Sequence, residues 1–300
     1  MKDFVFFSGS SNKLLGDKIV KKLGVSEGRL NIEEFPNREI RIRVIENVKD
    51  KNVFILQPTI YPAERYILEL ALIADAVKRK GAEKIVALIP WFGYSPQDKI
   101  FRKGEPLSIE VVIRMLESSS IDEFVVVDIH SLEILKMFKK KVYHLSAMSV
   151  FIDYFKGKLK GDWVSVALDK GALDRAKEFS NSLNLPLVKF DKTRDLETNE
   201  VTFHCLEGNV EGKNVISFDD FVSTGGTRIY GCEFLKKKGA RKYYDCVTHL
   251  IVPETTDRLK VSKIDKIFIT DSIHLDSERH FDRLKVLSID FLLAEFIKSY

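Results

Sequence analysis

Short apolar runs alternate with amphipathic stretches along this chain of 300 residues. The clearest runs are Phe4–Phe7, Val53–Gln57, Ile85–Ile89 and Phe124–Val127. They are continuous and rich in branched or aromatic side chains, a pattern typical of strands buried on both faces of a parallel sheet. Strands that alternate with helices in this way predict an α/β fold, with helices flanking mostly parallel sheets.

Helical periodicity fills the segments between these runs. The predicted helices are Asn12–Leu23, Ala63–Lys80 and Ile109–Ser118. In the second helix the apolar residues recur at helical spacing, and Arg65 and Glu69 fall on the other side. We therefore expect Glu69 to belong to the polar face of its helix.

The second half of the chain repeats the plan of the first. An Asn-Val pair opens a strand at Asn52 and again at Asn214, and a Gly-Ala pair closes the following helix at Gly81 and again at Gly239. Such a unit also arises by chance, so the repeat supports a duplication without establishing it. We expect two similar doubly wound domains, 1–148 and 149–300.

The balance of charges limits the class of partner. The chain has 48 basic and 44 acidic side chains and a net charge of +4, which gives no reason to expect nucleic acid but leaves room for a local phosphate pocket. Its three cysteines form no C-x-x-C pair, so a reducing cytoplasm is the expected location. We expect no membrane span, because no run of ~20 apolar residues occurs.

The strongest functional signal is the stretch Val215–Thr227. A strand ends in two carboxylates, Asp219 and Asp220, and a loop of small residues leads into a helix. Backbone N–H groups of such a loop can bind a phosphate, and the carboxylates can accept hydrogen bonds from sugar hydroxyls. The loop residues are Ser223, Thr224, Gly225, Gly226 and Thr227. In the alternative interpretation a hydroxyl only caps the helix and the acids are solvated.

This stretch resembles the ribose 5-phosphate signature of type I phosphoribosyltransferases and their pyrophosphokinase relatives. Six further segments resemble ribose-phosphate pyrophosphokinases and occur in that family's order. They are Phe35–Glu39, Pro90–Asp98, Val127–His130, Leu168–Ala172, Asp191–Arg194 and Val247–His249. The resemblance implies two domains of the type I phosphoribosyltransferase kind, the first on the ATP side and the second on the ribose 5-phosphate side. It also implies transfer of the β,γ-diphosphoryl group of ATP to the C1 hydroxyl of ribose 5-phosphate.

The resemblance further implies the residues that bind ATP and a metal ion. The ATP-binding residues would be Phe35, Asn37, Glu39, Gln97 and Asp98. The first three would form a loop that reaches in from a neighbouring subunit, which implies a homodimer or a larger homo-oligomer. His130 and Asp169 would hold Mg²⁺, although this ion prefers oxygen ligands, so His130 could instead act through water or on the phosphates.

The remaining implied roles concern the transferred group and the sugar. Lys192 and Arg194, on a mobile loop, would stabilise charge on the phosphoryl group under attack. Asp219 and Asp220 would bind the ribose hydroxyls, and the loop Ser223–Thr227 would bind the 5-phosphate. Three of these predicted site residues follow or end strands, at the carboxyl edge where open α/β sheets bind ligands. They are His130, Asp169 and Asp219.

Several of these residues have other interpretations when taken alone. Phe35 could be an ordinary core aromatic, and His130 could cap the strand that it follows. Lys192 and Arg194 belong to a charged stretch that is also typical of a solvated hairpin or loop. Pro96 stands where the family usually has an arginine that contacts ATP, and proline supplies neither a charge nor an N–H group.

Two other functions are compatible with the same sequence. One is a non-catalytic, nucleotide-binding regulatory paralogue of the enzyme, which would be expected to have lost the Lys192 and Arg194 pair or the metal residues. The other is a phosphoribosyltransferase, which would lack the N-terminal ATP segments. Pro96 leaves three outcomes: weaker ATP binding, replacement by Lys99 and Arg102, or loss of catalysis.

Overall fold

The computed structural model describes residues 3–169, 171–194 and 201–300. The side chains of residues 191–194 and 201–206 lie outside that description. The elements of the first half are β1 Phe4–Ser8, α1 Lys13–Leu23, β2 Leu30–Glu34, β3 Ile40–Val44, β4 Asn52–Leu56, α2 Ala63–Arg79, β5 Lys84–Ile89, α3 Ser108–Ser118, β6 Glu123–Val127, a 3₁₀ helix Leu132–Met137 and β7 Lys141–Leu145.

The second half has the same alternation of strands and helices. Its elements are α4 Met148–Phe155, β8 Trp163–Ala167, α5 Leu173–Ser182, β9 Leu187–Arg194, β10 Val201–Glu207, β11 Asn214–Val222, α6 Gly226–Lys237, β12 Lys242–Leu250, α7 Thr255–Val261, β13 Lys266–Thr270, a 3₁₀ helix Ser277–Arg279, β14 Leu284–Leu287 and α8 Asp290–Ser299. The predicted strands and helices of the first half are confirmed to within one residue at either end.

Two main sheets carry the fold. The first has the strand order β1-β4-β5-β6-β7, and every neighbouring pair in it is parallel. The second has the order β10-β9-β8-β11-β12-β13-β14, in which only the edge pair β9–β10 is antiparallel. Strands β2 and β3 form a separate hairpin. The mostly parallel sheets flanked by helices confirm the predicted fold class.

Burial explains why the strand segments are apolar throughout. Strands β4, β6 and β8 are buried at every residue, because helices cover both faces of a parallel sheet. Helix α2 is amphipathic instead, with Leu70, Ile73 and Val77 fully buried in the core of the first sheet. Each such side chain contributes about 1.5–3 kcal/mol of hydrophobic free energy.

Glu69 of α2 differs from its prediction. Its side chain is fully buried and does not belong to the polar face of the helix. The carboxylate accepts hydrogen bonds from the N–H of Ser10 at 2.6 Å, from the Oγ of Ser10 at 2.6 Å and from Nε2 of Gln57 at 2.8 Å. A buried carboxylate is tolerated when such donors satisfy it, and these donors come from two loops that helical periodicity does not identify.

The chain divides into two compact units. The first comprises Met1–Ser146, Ser272–His274 and Ser288–Tyr300, and the second comprises Ala147–Asp271 and Leu275–Leu287. The domains predicted from the sequence are 1–148 and 149–300, and α8 packs against α1 in the first unit.

The last residue of α8's segment is held at the amino ends of two strands. Tyr300 donates a hydrogen bond of 2.8 Å to Glu123 of β6, and Lys84 of β5 lies 2.6 Å from the same carboxylate. Burial raises the pKa of Glu123, but hydrogen bonds from Lys84 and Tyr300 outweigh that effect and lower it below the ordinary value of 4.5.

Over the described parts of the chain, no helix has the length and hydropathy needed to cross a bilayer.

Candidate active site

Strand β11 brings the predicted ribose acids to the carboxyl end of the second sheet. It pairs in parallel with β8 on one side and with β12 on the other, so its residues are enclosed. Asp219 is 8% exposed and Asp220 is 3% exposed. The acids are therefore not solvated, and that part of the alternative interpretation of this junction is wrong.

The loop after β11 turns sharply at Gly225. This residue has φ of 75° and ψ of −3°, a left-handed conformation that favours glycine, and it is the N-cap of α6. No side-chain hydrogen bond caps the helix there, so the loop hydroxyls do not serve as its caps. The free end of a helix offers backbone N–H groups and a positive dipole to an anion.

Helix α7 holds the other side of this loop. Thr255 donates its Oγ1 hydrogen bond to the carbonyl of Ser223, and Nη1 of Arg258 donates to the carbonyl of Thr224 at 2.6 Å. Both hydrogen bonds occupy carbonyl oxygens of the loop. Such oxygens would repel an anion if they faced it. The arrangement favours a phosphate at the N–H groups of the loop and of the first turn of α6.

Two arginines neutralise the paired acids. Nη2 of Arg228 lies 2.6 Å from Oδ2 of Asp219, and Nη2 of Arg175 lies 2.9 Å from Oδ1 of Asp219 and 3.1 Å from Oδ1 of Asp220. Burial raises the pKa of Asp219, but the charges of Arg228 and Arg175 outweigh it and lower that pKa below its ordinary value. The carboxylate of Asp219 is thus charged at neutral pH.

Neither arginine is among the site residues predicted from the sequence. Two adjacent acids on a buried strand require a counter-charge, and this requirement was the available signal. The need for a counter-charge does not by itself point to Arg175, because that residue lies on α5, 44 positions before Asp219 in the chain. Arg228 follows the loop directly and could have been considered as a partner.

Asp169 follows β8, and the two predicted cations belong to β9, its neighbour in the sheet. Asp169 follows β8 and is half-buried, and its Oδ1 accepts a hydrogen bond of 2.8 Å from the N–H of Ala172. Its charge also raises the pKa of Arg228, after the charges of Asp245 and Asp219 and against the effect of burial. The backbone of Lys192 and Arg194 belongs to β9, where they pair with Phe203 and Val201 of β10, but their side chains lie outside the described residues.

The first unit carries the predicted ATP-binding loop of Phe35, Asn37 and Glu39 at the tip of the β2–β3 hairpin. The N–H of Phe35 donates to the carbonyl of Glu39 at 2.9 Å, and Oδ1 of Asn37 accepts from the N–H of Glu39 at 3.3 Å. Phe35 is 43% exposed, with the guanidinium of Arg41 5.5 Å from its ring centroid. Phe35 is therefore not a core aromatic.

The other predicted ATP-side residues follow β5 and β6, which are neighbours in the first sheet. Gln97 is exposed, and its Oε1 accepts a hydrogen bond of 2.8 Å from Oγ of Ser108 at the start of α3. Asp98 is half-buried and follows directly. His130 is half-buried and lies three residues after the end of β6. These three residues thus share the carboxyl edge of the first sheet.

Comparison with known proteins places the whole chain in one family. Residues 4–119 match the model of the N-terminal domain of ribose phosphate pyrophosphokinase, and residues 196–300 match the phosphoribosyl synthetase-associated domain. Ribose-phosphate pyrophosphokinase 1 of Streptococcus pneumoniae is 33% identical over 98% of this chain and 93% of that protein. The chain belongs to the ribose-phosphate pyrophosphokinase family.

Other relatives agree over a similar span. Ribose-phosphate pyrophosphokinase 1 of Streptococcus pyogenes is 34% identical over 98% of this chain and 93% of that protein. The crystal structure of phosphoribosylpyrophosphate synthetase from Mycobacterium smegmatis matches with a TM-score of 0.91 and 31% identity, covering 99% of this chain and 98% of that one. The structural likeness therefore extends over nearly all of both chains.

The two residues predicted to bind a metal ion, His130 and Asp169, suit Mg²⁺ only in part. Mg²⁺ takes oxygen ligands, often one or two carboxylates together with substrate phosphates, and Asp169 offers a carboxylate oriented by Ala172. Within the described residues, no group of three or more His, Cys, Asp or Glu side chains is arranged to hold an ion. A site of this composition depends on phosphate oxygens to complete it.

Proposed function

We propose that this chain is a ribose-phosphate diphosphokinase, which transfers the β,γ-diphosphoryl group of ATP to the C1 hydroxyl of ribose 5-phosphate. The products are phosphoribosyl pyrophosphate and AMP. Similarity to ribose-phosphate pyrophosphokinases over 98% of the chain supports this reaction, as does the structural likeness to a phosphoribosylpyrophosphate synthetase.

The main support for the proposal is that two buried acids on a strand are followed by a loop whose glycine has a left-handed conformation. Asp219 and Asp220 lie two to three residues before the end of the inner strand β11, and Gly225 turns the chain into α6 three residues after β11 ends. A bare phosphate would be repelled by two acids, whereas a sugar phosphate presents hydroxyls to the acids and an anion to the loop. This junction suits ribose 5-phosphate, with the phosphate at Ser223–Thr227.

The remaining predicted residues would supply ATP binding and charge stabilisation. Phe35, Asn37, Glu39, Gln97 and Asp98 would bind ATP. Lys192 and Arg194 would stabilise charge on the transferred group, because phosphoryl transfer depends mainly on alignment and electrostatics. His130 and Asp169 would hold Mg²⁺ near the phosphates, where the ion neutralises charge on the triphosphate.

Assembly and location follow from the same proposal. The exposed ring of Phe35 at a hairpin tip is suited to contact an adenine held by another copy of the chain. A homodimer or a larger homo-oligomer would then be the active form. The cytoplasm, which supplies ATP and ribose 5-phosphate, is the proposed location.

Release of AMP tests the proposal directly. The purified chain is mixed with ATP, Mg²⁺ and ribose 5-phosphate, and AMP and phosphoribosyl pyrophosphate are measured by chromatography. We expect both products in equal amounts, and neither when ribose 5-phosphate is omitted. Asp220→Asn is a matched variant that should raise KM for ribose 5-phosphate, because an amide accepts sugar hydroxyls less strongly than a carboxylate.

Two other results would point elsewhere. Binding of ATP with no release of AMP under any condition would favour a regulatory paralogue. Release of pyrophosphate from phosphoribosyl pyrophosphate and a free base would favour a phosphoribosyltransferase. Either result would contradict the proposed reaction.

A further inference from the structure

A buried arginine ties the two ends of the phosphate loop together. Arg228 is the third residue of α6 and its side chain is 4% exposed. Its Nη2 lies 2.6 Å from Oδ2 of Asp219, which precedes the loop on β11. The residues on either side of the loop are therefore joined by one charge-assisted hydrogen bond, which is among the stronger kinds in proteins.

A second carboxylate fixes the guanidinium from the neighbouring strand. Nη1 of Arg228 lies 3.4 Å from Oδ1 of Asp245 on β12. The same oxygen of Asp245 accepts hydrogen bonds from Oγ of Ser217 at 2.6 Å and from the hydroxyl of Tyr243 at 3.1 Å. Asp245 is 1% exposed and lies opposite Ser217 in the register of β11 and β12. The arginine is thus held between two strands of the sheet.

The physical role of this cluster is orientation more than stability. A buried ion pair recovers little net stability, because desolvation of the charges offsets their attraction, and a well-packed apolar group often serves as well. A planar guanidinium with several donors, however, sets the distance and angle between the groups that it bridges. The groups bridged here are a predicted ribose ligand and the first turn of the helix that follows the phosphate loop.

We propose that Arg228 is a positioning residue for ribose 5-phosphate. It sets the separation between the carboxylates of Asp219 and Asp220, which accept the ribose hydroxyls, and the N–H groups that bind the 5-phosphate. The inference rests on the proposed function of this site and assigns Arg228 no contact with the substrate itself. Asp245 acts one step further away by holding Arg228.

The decisive variant is Arg228→Met combined with Asp245→Asn. It removes both charges together, so no buried charge loses its only partner, and the asparagine Oδ1 can still accept from Ser217 and Tyr243. We expect KM and the calorimetric Kd for ribose 5-phosphate to rise at least tenfold, while KM for ATP changes less than twofold. Arg228→Lys should give a smaller rise, because the positive charge is kept. The rise should not vanish, since a point charge cannot bridge two carboxylates as a guanidinium does.

Lys236→Met is the matched control on the same helix. Lys236 lies 2.7 Å from Oδ2 of Asp265 near the end of α6, and it too loses an ion pair in the variant. We expect a lower melting temperature with an unchanged KM for ribose 5-phosphate. If the double variant of Arg228 and Asp245 likewise loses only thermal stability and binds ribose 5-phosphate as the wild type does, Arg228 is not a positioning residue.

The wild-type chain separates this inference from the proposed reaction. A wild type that binds ribose 5-phosphate but releases no AMP would overturn the reaction alone, and calorimetry on the double variant would still decide the role of Arg228. A wild type that does not bind ribose 5-phosphate would overturn both.

Discussion

Replacement of Gly225 by alanine tests the phosphate loop most directly. The left-handed φ of 75° costs an L-residue about 1–2 kcal/mol. An added Cβ would also lie 3.0 Å from Cγ2 of Thr255, a buried residue of α7 that donates to the carbonyl of Ser223. The strain can be relieved only by moving the loop or α7, and either movement disturbs the N–H groups of the loop.

The expected effects follow from this cost. A destabilisation of 1–2 kcal/mol lowers the melting temperature by roughly 2–8 °C. If the free loop instead relaxes and ribose 5-phosphate binding has to restore the strained conformation, the same free energy weakens binding by about 5- to 30-fold. Gly225→Val should abolish that binding while the fold survives, because a branched side chain at the turn blocks close approach of the phosphate. Circular dichroism and calorimetry measure the two quantities.

Gly226→Ala is the control for stability. A Cβ at Gly226 would lie 3.8 Å from Cε2 of Tyr230 and 3.9 Å from Oγ1 of Thr224, which are ordinary contacts. The residue starts α6, where alanine is favoured over glycine, so the melting temperature should stay the same or rise. A Gly225→Ala variant with wild-type melting and wild-type ribose 5-phosphate affinity would refute the assignment. So would equal destabilisation by the two substitutions.

Three further predictions concern the rest of the chain. Lys192→Ala should lower kcat by a factor on the order of 10² or more, with a smaller change in KM for ribose 5-phosphate. Lys189→Ala is the control, three residues earlier on β9 and ion-paired with an exposed partner at 3.2 Å, and it should leave kcat unchanged. Neutralising Lys99 and Arg102 together should raise KM for ATP and leave KM for ribose 5-phosphate nearly unchanged if they replace the missing family arginine; normal ATP binding would contradict this. Glu123→Gln should reduce the free energy of unfolding by about 1–3 kcal/mol at pH 7. Because the pKa of Glu123 is lowered on folding, this contribution is present above pH 4.5 and lost as the pH falls below it. Denaturant titrations of the wild type and the variant measure the difference in free energy of unfolding. A difference as large at pH 3 as at pH 7 would exclude the carboxylate as its source.

The residues on the ATP side agree in part with the substitution hypothesis for Pro96. Lys99 and Arg102 are both exposed, and within the described part of the chain neither side chain has an ion pair. The N–H groups of Phe101 and Arg102 donate to Oε2 of Glu105 at 3.0 and 2.8 Å, which orders the turn that carries these cations. Restoration of arginine at position 96 should recover part of the ATP affinity that is lost when Lys99 and Arg102 are neutralised.

The local pattern of the chain was sufficient to predict most strands and helices of its first half, and it also predicts a phosphate loop. Continuous apolar runs such as Val53–Gln57 correspond to buried strands because a strand covered on both faces has no polar side. The stretch from Asp219 to Thr227 was interpretable for a similar reason, since the acids, the loop and the helix start are neighbours in the chain. Information of this kind depends on residues within a few positions of each other.

The tertiary structure decided which polar groups meet. Helical spacing shows that Glu69 lies away from the main apolar stripe, but only the arrival of Ser10 and Gln57 from other loops determines that it is buried. Arg175 reaches Asp219 from α5, and α8 packs against α1 of the first unit although it lies at the far end of the sequence. Such contacts join residues far apart in the chain, and their partners are set by strand order and helix packing. A single sequence records the charge that needs a partner, whereas the fold selects the partner.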